Sequence, residues 1–116
     1  MRILLLNPPF KNGRFSRASR SPAITRSGTL YYPIWLAYAA GVLEKDGFEV
    51  KIVDCPAAGL SAPEAVKMAA DFKPDLVVID TSTPSIYSDV ETGRLIQNKA
   101  KGAFIVLVGT HPSALP

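Results

Sequence analysis

Three short runs without a polar residue, Ile3 to Leu6, Leu76 to Ile79 and Phe104 to Val108, constrain this chain more than any other feature. A strand with one wet face alternates apolar and polar residues. A continuous apolar run of four or five belongs instead to a strand covered on both faces, the situation in parallel sheets flanked by helices. These three runs are expected to be interior strands. A fourth, Val50-Lys51-Ile52-Val53, carries a charge in its middle and is expected at an edge. All are far shorter than the roughly 20 apolar residues that cross a bilayer. The start Met1-Arg2-Ile3-Leu4-Leu5-Leu6-Asn7 lacks the long apolar stretch of a cleavable signal, so the chain reads as cytoplasmic, without a membrane partner.

Helical signals separate the strands. Pro33 suits a first helical position, Leu36, Ala37, Ala40 and Leu43 recur at helical spacing, and Gly47 closes the segment. Ser61 and Glu64 have the spacing of a capping box ahead of Ala65, Val66, Ala69 and Phe72, with Pro74 as the stop. Ser88 and Glu91 repeat that spacing before Leu95, Ile96 and Ala100, with Gly102 after them. Strand alternating with helix implies parallel strands joined by right-handed crossovers, hence an α/β fold with an open flavodoxin-like or Rossmann-like parallel sheet. The predicted strand order is 2-1-3-4, with the reversal between strands one and three. Because the fourth run reads as interior, a final strand and helix are expected beyond Pro116. Left as an apolar edge, that strand would favour pairing with another copy, a homodimer.

Charge and cysteine content narrow the function classes. Residues 1 to 43 hold six cations, Arg2, Lys11, Arg14, Arg17, Arg20 and Arg26, and no acid. Five of the six fall in the long connection 7 to 32, which reads as a functional or solvated loop able to meet a phosphate-bearing ligand or a neighbouring domain. Cations gathered in one loop argue against nucleic acid, which favours charge spread over a helix or sheet face with aromatics between. Tyr31, Tyr32 and Trp35 follow the loop as an aromatic wall or, more commonly for such residues, as core. Cys55 is the single cysteine, so no disulfide and no multi-cysteine metal site is encoded, and no metal ligand is assigned.

The polar residues gather after three strands: Asn7, Pro8 and Pro9; Thr81, Ser82, Thr83, Pro84 and Ser85; and Gly109, Thr110, His111, Pro112 and Ser113. In a sheet with this order all three turns open onto one crevice. Hydroxyls beside a helix start can bond a ligand or simply cap the helix. His111, the one histidine, reads as a loop residue rather than a metal ligand. Asp54 and Asp80 are pocket candidates, while Asp75 begins a strand at the far end. There is no G-x-G-x-x-G, no G-x-x-x-x-G-K-[ST] and no G-x-S-x-G, which removes the commonest dinucleotide, nucleoside-triphosphate and hydrolase sites.

Taken in order, Leu5-Leu6-Asn7-Pro8-Pro9, Tyr32-Pro33-Ile34-Trp35-Leu36-Ala37-Tyr38-Ala39-Ala40, Gly47-Phe48-Glu49-Val50, Pro74-Asp75-Leu76-Val77 and Gly109-Thr110-His111-Pro112-Ser113-Ala114-Leu115-Pro116 resemble the amino-terminal cobalamin-binding domain of radical S-adenosylmethionine enzymes, a group that includes the anaerobic magnesium-protoporphyrin monomethyl ester cyclases. The resemblance runs over nearly the whole of residues 1–116. It implies a flavodoxin-like domain with cobalamin over the strand carboxyl ends and its nucleotide tail entering between strands one and three. Asn7, Pro8 and Pro9 would line the first side, Thr81, Ser82, Thr83 and Ser85 the tail channel, and Gly109, Thr110, His111, Pro112 and Ser113 the far side. On that channel, Ser82→Leu is expected to weaken corrinoid affinity without unfolding the domain.

Three departures limit what the resemblance carries. The first turn has no D-x-H-x-x-G to supply a histidine to cobalt, Gly109-Thr110 stands where relatives often have two glycines, and C-x-x-x-C-x-x-C is not among these residues. The chain is therefore read as the cofactor-holding fragment of a longer enzyme of oxidative-cyclase or methyltransferase type, not itself catalytic. Its partner would be the carboxyl-terminal radical domain, which would hold S-adenosylmethionine and an iron-sulfur cluster. The alternatives are a flavodoxin-like regulatory or interaction module and a nucleotide-binding half-domain.

Overall fold

The most apolar run forms the most buried strand. In the computed structural model, which describes residues 1–10, 15–17, 23–24, 30 and 32–115, Ile3, Leu4, Leu5 and Leu6 of β1 (Arg2–Asn7) are all at most 1% exposed. Full burial of a leucine or isoleucine contributes roughly 1.5–3 kcal/mol, so this tetrapeptide alone fixes β1 at the centre of the sheet. It pairs in parallel with β4 (Glu49–Asp54) on one side and β5 (Leu76–Thr81) on the other. Beyond β5 lies β6 (Phe104–Gly109), also parallel. The order β4-β1-β5-β6 is the predicted 2-1-3-4, and the fold is flavodoxin-like, with the reversal between β1 and β5.

Alternate residues of β1 serve two cores. Leu4 and Leu6 join Val77, Ile79 and the inner sides of α3 (Ala62–Phe72) and α4 (Ile86–Lys99), whereas Ile3 and Leu5 meet Leu36 of α1 (Ile34–Lys45). Ser61 accepts from the Glu64 N–H while the Glu64 side chain accepts from the Ser61 N–H, so the first expected capping box forms and starts α3. Along α4, Gly93 allows close packing: a Cβ there would stand 3.1 Å from Ile79 Cδ1.

Several expectations are corrected. Ser88 and Glu91 do not cap α4: a single 3₁₀ turn at Thr83–Ser85, begun by Pro84, runs straight into it, so Ser88 lies inside the first turn and Glu91 pairs with Arg94. Among the described residues β6 pairs with β5 alone, and Phe104 is 70% exposed, so the edge expected to meet a further strand is open here. On the α1 side of the sheet, α1 covers β4 and β1, leaving Leu76, Val78, Val106 and Val108 half-buried. Core packing also fails for Tyr32 and Trp35, which are exposed, as are Tyr38 and Val42; Tyr31 lies outside the described residues. Not anticipated were a short helix, α2 (Cys55–Ala58), and an antiparallel pairing of β2 (Phe15–Ser16) with β3 (Ala23–Ile24) inside the long connection. A last short helix, α5 (Thr110–Ala114), follows β6. No described helix is long and apolar enough to cross a membrane.

Candidate functional site

Parallel strands deliver their carboxyl ends to one edge of the sheet, and the register puts Asn7 beside Asp54 and Thr81 beside Gly109 there. Side chains tie the turns together. Asn7 Nδ2 donates to Asp54 Oδ1 at 2.9 Å, and Thr81 Oγ1 donates to the Val108 carbonyl at 2.8 Å. The turns after β5 and β6 meet through His111 Nδ1 and Thr83 Oγ1, 3.3 Å apart. The three clusters therefore lie along one edge of the sheet, and those after β5 and β6 are in contact.

Between β1 and β5 the crevice is filled by a residue from the long connection that the sequence reads as a functional or solvated loop. Arg17, 7% exposed, reaches in from just after β2. Its guanidinium forms a two-pronged pair with Asp89 of α4, through Nη2 to Oδ1 and through Nε to Oδ2 at 3.5 Å. Nη1 donates to the Pro8 carbonyl at 2.6 Å and to Asn7 Oδ1 at 3.1 Å. Asp89, fully buried, also accepts from Ser85 Oγ at 2.6 Å and from the Ser82 N–H, and the two serine hydroxyls lie 2.6 Å apart. Thus Asn7, Arg17, Asp89, Ser85 and Ser82 form one continuous polar network, and no buried described side-chain atom lacks a partner. Lys11, Arg14, Arg20 and Arg26 lie outside the described residues.

The electrostatics centre on the same guanidinium. Burial pushes the Asp89 carboxyl above its ordinary value, and the Arg17 charge and the hydrogen bonds it receives oppose that rise. Asp80, half-buried at the end of β5, is raised for the same reason and again opposed by Arg17. Burial, with the nearby Asp54 charge, pushes the Cys55 thiol up to about 12, so it stays protonated and unreactive. Among the described residues no group of histidines, cysteines and carboxylates could cage a metal ion.

The predicted site residues divide into two sets. Asn7, Pro8, Pro9, Thr81, Ser82 and Ser85 are buried, whereas Thr83, Thr110 and Ser113 are exposed and Gly109, His111 and Pro112 are half-buried. A leucine at Ser82, 2% exposed within a bonded network, would overpack the turn, so Ser82→Leu is expected to cost stability as well as affinity. Gly109 has φ +125°, and a Cβ on it would fall 2.4 Å from the Thr81 carbonyl oxygen. Its glycine identity is therefore demanded by strand packing before any ligand is considered. Asp54 serves Asn7, and Asp75 accepts from the Arg2 N–H at the opposite end of the sheet. Two adjoining cavities of about 380 and 430 Å³ share Pro9, Phe10, Leu60 and Ser61 on the α3 side, and the first also touches Tyr87 and Ser88 of α4, just past the β5 turn.

Comparison with known proteins agrees with this arrangement. The B12 binding domain family matches residues 20–116. The chain is 31% identical over 117 residues to an uncharacterized methyltransferase of Pyrococcus horikoshii, a match spanning all of this chain and 23% of the relative. It is 29% and 30% identical over 112 residues to the anaerobic magnesium-protoporphyrin IX monomethyl ester cyclases of Cereibacter sphaeroides and Rubrivivax gelatinosus, spanning 96% of this chain and 17% and 18% of theirs. The chain thus spans less than a quarter of the length of these relatives, and no solved structure matches it significantly. A parallel sheet in the order 2-1-3-4, turns gathered at its carboxyl edge and a match over residues 20–116 lead to one conclusion: the chain belongs to the B12 binding domain family.

Proposed function

We propose that this chain holds cobalamin over the carboxyl ends of its parallel strands, and that it is the cofactor-holding part of a radical S-adenosylmethionine enzyme of oxidative-cyclase or methyltransferase type. The observation that carries the reading is the meeting of the turns after β5 and β6 at Thr83 and His111, on the open side of an otherwise filled crevice. Ligands in open parallel sheets bind at this edge, near the reversal of strand order.

The residues present suit such a cofactor. A corrin brings cobalt within its own ring and needs no protein cage, consistent with the lack of a ligand cluster among the described residues. Its amide-fringed rim needs short hydrogen-bonding groups, which Thr83, Thr110, His111 and Ser113 offer at the surface beside Gly109 and Pro112. Asn7, Pro8, Pro9, Thr81, Ser82 and Ser85 form the buried wall behind them, which would set the turns that the nucleotide arm meets. When bound, cobalamin supplies the cobalt chemistry, and the chain's own part is to grip and orient it. S-adenosylmethionine and the iron-sulfur cluster would belong to the remainder of the parent protein, in keeping with the longer cyclase and methyltransferase relatives.

The test is retention: after mixing with hydroxocobalamin and desalting, the reading expects corrin absorbance to travel with the protein. A folded circular-dichroism signal with no retained corrin overturns it. That outcome would favour a second reading, an interaction module, for which the exposed Tyr32, Trp35, Tyr38 and Val42 along α1 are the specific observation.

A further inference from the structure

The geometry points to Arg17 as a positioning residue for the cofactor's nucleotide arm, acting through Asp89 on the turn from Ser82 to Ser85. The inference rests on the cobalamin reading and deepens it. Arg17 precedes the residues matched by the family, 20–116, so the family match assigns it no role.

Asp89 holds the Ser82–Ser85 turn at both ends, through the Ser85 hydroxyl and the Ser82 N–H. A carboxylate this deep is kept ionised, and so kept an acceptor, only by a partner of opposite charge. Arg17 is that partner, with both prongs of its fork on Asp89 and Nη1 on the β1 turn. Without the guanidinium, Asp89 must take up a proton or turn away, and a protonated acid no longer accepts equally from both serines. The turn then relaxes, and with it Thr83, whose hydroxyl meets His111 on the open side. Arg17 lies behind this wall and would not touch the corrin, so its influence should reach only the part of the ligand that the Ser82–Ser85 turn contacts.

The experiment compares two probes, hydroxocobalamin and aquohydroxocobinamide, the same corrin without the nucleotide arm, by equilibrium dialysis with the 116-residue chain. Arg17→Met should weaken hydroxocobalamin by about tenfold or more and leave the cobinamide within about twofold. Arg17→Lys, which restores the charge but not the fork, should fall between. Equal losses for both ligands, no loss for either, or a wild-type chain that does not distinguish them would overturn the positioning role while leaving the cobalamin reading intact. A wild-type chain that binds neither ligand overturns both. Should Arg17→Met fail to fold, the paired Arg17→Met/Asp89→Leu chain, which buries no unpaired charge, is read by the same criteria.

Discussion

The carboxyl edge of the sheet is built in two ways within a short distance. Between β1 and β5 the turns are filled and locked: Asn7, Ser82, Ser85 and Asp89 are each at most 4% exposed and bonded through Arg17. Between β5 and β6 similar residue types, Thr83, Thr110, His111 and Ser113, are left at or near the surface with single, longer or local bonds. The difference shows that residue type does not decide which turn is locked and which is left open. What decides it is whether another segment supplies a buried partner, and among the described residues only the first half receives one. Changes in the locked half should therefore register in stability as well as in binding of the nucleotide arm, and changes in the open half in binding with little loss of stability.

The largest effect should come from removing one member of the buried pair. Asp89→Ala leaves the Arg17 charge without its counterion and should cost about 3–5 kcal/mol in denaturant unfolding, whereas replacing both by apolar residues should recover most of that loss. A single-site cost below about 1 kcal/mol would mean that the pair behaves as a solvated surface bridge. At the seam between the halves, Gly109→Ala pushes a Cβ to 2.4 Å from the Thr81 carbonyl at positive φ. It should cost about 1–3 kcal/mol, read as a lowered denaturation midpoint with unchanged slope.

On the open side, Thr83→Val and His111→Ala should change stability by no more than about 0.5 kcal/mol while weakening corrinoid affinity by about threefold to tenfold each. A large stability loss from either would erase the contrast between the two halves. The smallest effect concerns Asp80, whose carboxyl is raised by burial. An acid with a raised folded value binds its proton more tightly when folded. The stability it allows is therefore present below the ordinary carboxyl range and is lost as pH climbs through its raised value. Asp80→Asn should be modestly more stable than the wild type at pH 7, and the two should converge below about pH 4; thermal melts across that range check the sign.

Much of the architecture was legible because it rests on local pattern. Ile3 to Leu6 and Leu76 to Ile79 announce doubly covered strands, and Lys51 announces the edge occupied by β4. By the same rule β6 is a strand to be flanked on its far side, and among the described residues it pairs with β5 alone. In the site, the convergence of turns followed from topology, but the Arg17–Asp89 lock did not. Loop arginines ordinarily face water, and the Ser88–Glu91 spacing fits a cap that does not form, with Asp89 lying between the two. A signal was present: Ser85, Asp89, Thr92, Ile96 and Ala100 recur at helical spacing and form one buried stripe. An acid at a core-facing position calls for a buried cation, and the cations lacking nearby acids lay in the preceding loop.

Backbone amide resonances followed during addition of hydroxocobalamin test the central claim most directly. The account predicts that the largest shifts fall on Thr83, Gly109, Thr110 and His111, at the open half of the carboxyl edge. Shifts concentrated on Gly59, Leu60 and Ser61, beside the cavities near α3, or no shifts at saturating corrin, would contradict it.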